Sequence, residues 1–155
     1  MRIVRRLLGL FVAPLVLASC ASVPAPPRAE QPFVIAANPL AAEAGMAVLR
    51  RGGSAVDAAI AVQAMLSLVE PQSSGIGGGA FITLYDARSR KVVVYDGRET
   101  APAQASASMF LAADGTPLDF GAAVVSGRAT GVPGVLAALD LAHREHGRLE
   151  WSALF

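Results

Sequence analysis

From Ser54 to Val69, 12 of 16 residues are apolar, and they fall all round a helical wheel, so this segment cannot lie half in water. A helix of that kind has to be buried between layers, which excludes an isolated hairpin or a two-stripe coiled coil. Its alanines, at 55, 58, 59, 61 and 64, let neighbouring elements approach closely. Ser54 opens it, with Asp57 three residues on in a capping-box pattern, and Glu70-Pro71 stops it.

The flanking segments supply candidate layers. Phe33 to Ala37 is a short apolar, partly β-branched run that predicts a buried strand. Asn38 then reads as an N-cap with Pro39 at the first helical position. The helix that follows is expected to place Leu40, Ala44, Ala47, Val48 and Arg51 on one face and to end at Gly52-Gly53. Ala80 to Tyr85 and Val92 to Tyr95 predict a hairpin joined by Asp86 to Lys91, apolar enough to be covered on one face or both. Ala103 to Phe120 is turn-rich, with a reversal marked by Asp114-Gly115 and Pro117. Gly131-Val132-Pro133-Gly134 leads into a helix with Leu136, Leu139 and Ala142 on one stripe, closing at Gly147. No internal repeat or heptad run is present.

Between the apolar helix and the hairpin lies Pro71-Gln72-Ser73-Ser74-Gly75-Ile76-Gly77-Gly78-Gly79. Gly75, Gly77 and Ala80 satisfy G-x-G-x-x-A, but the order is helix, glycines, strand, the reverse of what a dinucleotide site requires. No Lys-Ser/Thr pair follows, which excludes a P-loop. The glycines therefore predict a turn needing positive φ or close backbone contact. The hairpin runs out into Asp96-Gly97-Arg98-Glu99-Thr100-Ala101-Pro102, which sets a permanent cation, Arg98, at a strand end near that loop. A guanidinium fork matches a carboxylate, although from position alone a solvent-facing role or a pairing with Asp96 or Glu99 is the commoner reading.

Other chemistry is sparse. His143 and His146 are three apart on a predicted helix without a third metal ligand, the pattern of surface histidines near a helix C-terminus. Ser73, Ser74, Thr83, Thr100 and Ser126 are hydroxyls by type, but none sits in G-x-S-x-G or beside an identifiable base, so no nucleophile is assigned.

The N-terminus reads as an address. Arg2, Arg5 and Arg6 precede an apolar run of 11 residues, Leu7 to Leu17, too short to span a bilayer. Residues 1–19 are thus expected to be a signal peptide. Leu17-Ala18-Ser19-Cys20 resembles a bacterial lipobox, with Cys20, the only cysteine, as the lipidated first mature residue; an ordinary cleavage near Ala21 is the alternative. Residues 20–32, carrying Pro24, Pro26, Pro27 and Pro32, then form a semi-rigid tether to a domain at 33–155. Without the leader the chain has 10 basic against 12 acidic residues, and no positive stripe, which excludes nucleic acid as a partner. Localisation is expected to be periplasmic, as a membrane-anchored lipoprotein, with Ala21 favouring the outer membrane.

Taken in order, Asn38 to Gly45, Gly52 to Ala59, Glu70-Pro71 with Gly75 to Gly79, Asp96 to Pro102 and Gly131 to Gly134 resemble the beginning of a γ-glutamyltranspeptidase. The resemblance implies an α+β, N-terminal-nucleophile hydrolase αββα sandwich of which only the N-terminal portion is present. It also implies a precursor that cuts itself into large and small subunits, and a catalytic Thr at the head of the small subunit, beyond residue 155. The implied substrate is a γ-glutamyl amide such as glutathione, with the acyl group passed to water, an amino acid or a peptide. The implied partners are the rest of the large subunit and the small subunit, with no metal or organic cofactor. Arg98 matches the family Arg that grips the donor α-carboxylate, and the chain alone is expected to be inactive. Superfamily acylases acting on cephalosporin side chains or poly-γ-glutamate, and a non-catalytic truncated lipoprotein, are the competing expectations.

Overall fold

The computed structural model describes residues 31–155; the leader, Cys20 and most of the tether lie outside the described residues. Asn38 caps helix α1 (Pro39–Arg50) by accepting from Leu40 N at 3.0 Å, and Gly52, at φ +87°, turns the chain out of it. Ser54 caps α2 (Ala55–Val69), where both halves of the capping box are made: Asp57 N donates to Ser54 Oγ at 3.1 Å and Ser54 N to Asp57 Oδ2 at 2.8 Å. The glycine loop leads into β1 (Ala80–Asp86), which pairs antiparallel with β2 (Lys91–Gly97), Ala80 opposite Gly97 and Asp86 opposite Lys91. A short helix α3 (Phe120–Val124), capped by Asp119, interrupts the turn-rich stretch and was not evident from its five residues. Helix α4 (Val135–His146) and a 3₁₀ turn, Trp151–Leu154, complete the chain. No helix among the described residues is long and apolar enough to cross a membrane.

The core forms where α2, α4 and one face of the hairpin meet: Val56, Ile60 and Ala61 against Val135, Ala138, Leu139 and Ala142, with Tyr95 from β2 and Leu154 from the terminal turn. The hairpin alternates, so its other face carries Phe81, Tyr85, Val92 and Val94 into solvent. It is thus covered on one face, not both.

Several expectations need correction. Phe33 to Ala37 forms no strand, and Phe33 and Ile35 are 71% and 84% exposed. The period-two pattern is real, since Val34 and Ala36 turn inward, but among the described residues no second strand offers ladder bonds. On α1 the inward face is Ala41, Gly45 and Val48; of the expected stripe only Val48 is buried, and Leu40 and Ala47 are exposed. The close α1–α2 contact falls at Gly45, where a Cβ would stand 2.7 Å from Val62 Cγ2 and force that valine to shift. Helix α2 is buried in its N-terminal half only; Ala55, Ala59 and Leu68 are exposed. On α4, Leu136 faces out while Val135 takes its place.

Candidate functional site

The pairing of Ala80 with Gly97 brings both ends of the hairpin's open side together, so the loop before β1 and the Arg98-Glu99 pair after β2 share one edge. The N-terminus of α4 docks there too: Gly134 N and Val135 N both donate to Gly78 O, at 3.1 and 3.2 Å. Thr100 and Val132 exchange two backbone bonds, 3.2 and 2.9 Å, which fixes the chain leaving Arg98 against the chain entering α4. Such close docking needs missing side chains. A Cβ on Gly134 would lie 2.5 Å from Gly97 O, and one on Gly97 2.7 Å from Ala138 Cβ.

Of the loop glycines, Gly79 serves the same end. None has positive φ among the described residues; that conformation falls at Gly52 and Gly115. Close contact, the other expected cause, holds at Gly79, where a Cβ would meet Glu99 Oε2 at 2.6 Å and Gly97 O at 2.7 Å. Glu99 therefore lies across the glycine loop. Its Oε2 also accepts from Arg98 Nη1 at 3.0 Å, and Arg98 N donates to Asp96 Oδ1 at 2.9 Å, closing a local turn. Arg98 itself keeps 70% of its side-chain surface in solvent. It is a charged fork with one carboxylate partner and donors to spare.

Two clefts flank this pair. One, about 460 Å³, is lined by Gln63, Ser73, Ser74, the loop glycines and Glu99, with Gln63 Nε2 donating to Ser74 Oγ at 3.1 Å. The other, about 390 Å³, is lined by Arg98, Glu99, Thr100, Pro102, Met109, Phe110, Arg128 and Thr130. Arg128 went unremarked in the sequence, where it is a lone basic residue; only the fold brings it to the cleft that Arg98 lines.

The histidines do not join this site. Both lie in the last turn of α4, and at a rise of 1.5 Å per residue His143 stands roughly 12 Å along the helix from Val135. They also depart from the surface pair expected of them. His143 is largely buried, with Nε2 2.8 Å from Leu149 O and 3.6 Å from Asp57 Oδ1, its ring edge-on to Trp151. His146 packs edge-on to Tyr95. Ser73 and Ser126 donate to backbone carbonyls, of Glu70 and Ala123. Among the described residues no hydroxyl is bonded to a histidine, so the arrangement offers an anion-binding edge without a nucleophile–base pair. Cys20 falls outside the described residues.

The family model for Gamma-glutamyltranspeptidase matches residues 41–155. The chain is 46% identical over 108 residues to the glutathione hydrolase proenzyme of Bacillus subtilis, covering 70% of this chain and 18% of that relative. It superposes on the γ-glutamyltranspeptidase of Pseudomonas nitroreducens, solved with L-DON, at a TM-score of 0.74 and 37% identity, over 81% of this chain and 36% of that one. It is also similar to a cephalosporin acylase from Bacillus halodurans, at a TM-score of 0.59 and 30% identity, over 87% and 25% of the two chains. The chain thus spans about a fifth of the length of the curated relative it matches.

Proposed function

The chain belongs to the γ-glutamyltranspeptidase family, and from that premise we propose that it supplies the donor-gripping part of an enzyme that transfers γ-glutamyl groups from amides such as glutathione to water, amino acids or peptides. Its α+β architecture is the N-terminal part of the N-terminal-nucleophile hydrolase fold. The observation that carries the reading is the placement of Arg98: an exposed guanidinium at the end of β2, near a glycine-rich loop, held by Glu99 on one flank only. A donor α-carboxylate would bind it as a two-pronged, charge-assisted pair and so fix the glutamyl chain at its end remote from the scissile amide. The attacking hydroxyl would come from a threonine heading a small subunit. It would displace the amine from the γ-carbonyl to form an ester, and water or an amine would then take the acyl group. On this reading these 155 residues alone are inactive.

The test is turnover by the full-length precursor of a γ-glutamyl anilide against a glutaryl amide, which keeps the terminal carboxylate but lacks the α-amine. Preference for the γ-glutamyl donor, with Arg98→Ala lowering kcat/KM about tenfold or more, is the expected result. Unchanged kinetics in that variant would remove Arg98 from the site. Preference for the glutaryl amide would favour the acylase alternative that the structural likeness to the cephalosporin acylase keeps in play.

The leader pattern supports export and anchoring through lipid on Cys20. Palmitate labelling that is lost in Cys20→Ala, with release of the protein from membranes, is expected; unaltered fractionation of that variant would leave ordinary signal cleavage instead.

A further inference from the structure

Resting on the glutamyl reading of Arg98, we infer that Arg128 is a specificity-determining residue that selects donors whose leaving group ends in a carboxylate. Arg98 and Arg128 line the same cleft of about 390 Å³, a size in the lower range of small-ligand pockets. Their charges are handled differently. Glu99 Oε2, 3.0 Å away, matches Arg98. Arg128 Nη1 donates only to backbone carbonyls, Met109 O at 3.2 Å and Leu111 O at 3.4 Å, and among the described residues no carboxylate lies within 4.0 Å of it.

Those carbonyls hold one corner of the guanidinium and leave Nη2 and Nε free to donate. They also restrict a side chain that otherwise loses much rotamer freedom on binding. The rest of the lining contains hydroxyls, Thr100 and Thr130, and apolar groups, Pro102 and Phe110, with no acid besides Glu99. The cleft therefore keeps one positive charge unmatched. In a γ-glutamyl peptide the α-carboxylate is taken by Arg98, so the other carboxylate available to Arg128 lies beyond the amide that is cut. A neutral leaving group would leave Arg128 facing water.

Arg128 could instead do no more than tie residues 109–111 to the 127–130 turn, and the two roles separate by experiment. Uncleavable ketomethylene isosteres of γ-glutamylglycine and of γ-glutamylethylamide, identical except that a methyl replaces the terminal carboxylate, are titrated calorimetrically into the full-length protein. The acid-ended isostere should bind about tenfold more tightly, the effect of one charge-assisted hydrogen bond at an exposed site. Arg128→Gln, which keeps N–H donors for the two carbonyls, should erase the preference, and Arg128→Lys should keep part of it. A preference that persists in Arg128→Gln, an equal loss for both ligands, or no preference in the natural protein overturns the inference while leaving the glutamyl reading intact. If neither isostere binds the natural protein, the glutamyl reading itself fails and this one falls with it.

Discussion

The carboxylate of Asp57 is wholly buried, yet its Oδ2 accepts from three backbone N–H groups: Ser54 at 2.8 Å, Arg148 at 2.9 Å and Leu149 at 3.3 Å. It joins the start of α2 to the chain leaving α4, residues 91 and 92 apart in sequence. Removing it orphans three donors, so Asp57→Ala should lower unfolding stability of the full-length protein by about 3 kcal/mol, seen as a reduced urea midpoint. Ser54→Ala, which loses one capping bond, should cost only about 1 kcal/mol. Tyr95 gives a pH signature. Burial, then its 2.6 Å bond to Glu145 Oε2, push its phenol up to about 12 from 10.0. Between those values the unfolded chain loses the proton while the folded chain keeps it, so stability falls as pH rises from about 10 to 12. Tyr95→Phe should flatten that slope, measured as the thermal midpoint from pH 9 to 12. At this scale the capping pair Ser54 and Asp57 was legible, because the box is local in sequence. The long-range half of Asp57's bonding, and the burial of His143 against it, were not, because no local pattern encodes which loop returns to a helix start.

Among the elements, the packing of α4 on the end of β2 depends on two glycines facing each other. Gly134→Ala should therefore destabilise the protein by about 1–3 kcal/mol through overpacking, and also raise KM for γ-glutamyl donors, since the same contact positions Arg98. Gly77→Ala, where a Cβ meets nothing within 4 Å, should change the thermal midpoint little. Equal effects at the two positions would show that close contact is not what requires glycine at 134. Helix and strand limits were largely readable, since Asn38-Pro39, Gly52-Gly53, Ser54, Glu70-Pro71 and Gly147 are local stop and start signals. The inward faces were less so. On α1 the true stripe runs through Gly45, a residue that hydrophobicity ranks low but that sits at the close crossing.

Over the whole molecule, the open face of the hairpin is the main departure from a self-sufficient core. Phe81, Tyr85, Val92 and Val94 are exposed side by side on one sheet face, an apolar patch of the kind that invites association. Val94→Thr with Phe81→Ser should raise the soluble yield of residues 33–155 expressed alone, yet lower the thermal midpoint of the full-length protein. An unchanged midpoint would mean that the face stays open in the longer protein as well. The sequence by itself determined the three long helices, the hairpin, their caps, the exclusion of nucleotide loops and the family, because each rests on residues near one another in the chain or on their order along it. Only the tertiary structure decided which faces turn inward, that Glu99 spans the glycine loop, and that Arg128 shares a cleft with Arg98. Those depend on distances between segments brought together by packing, and the close approaches at Gly45, Gly97 and Gly134 set those distances more than hydrophobic pattern does.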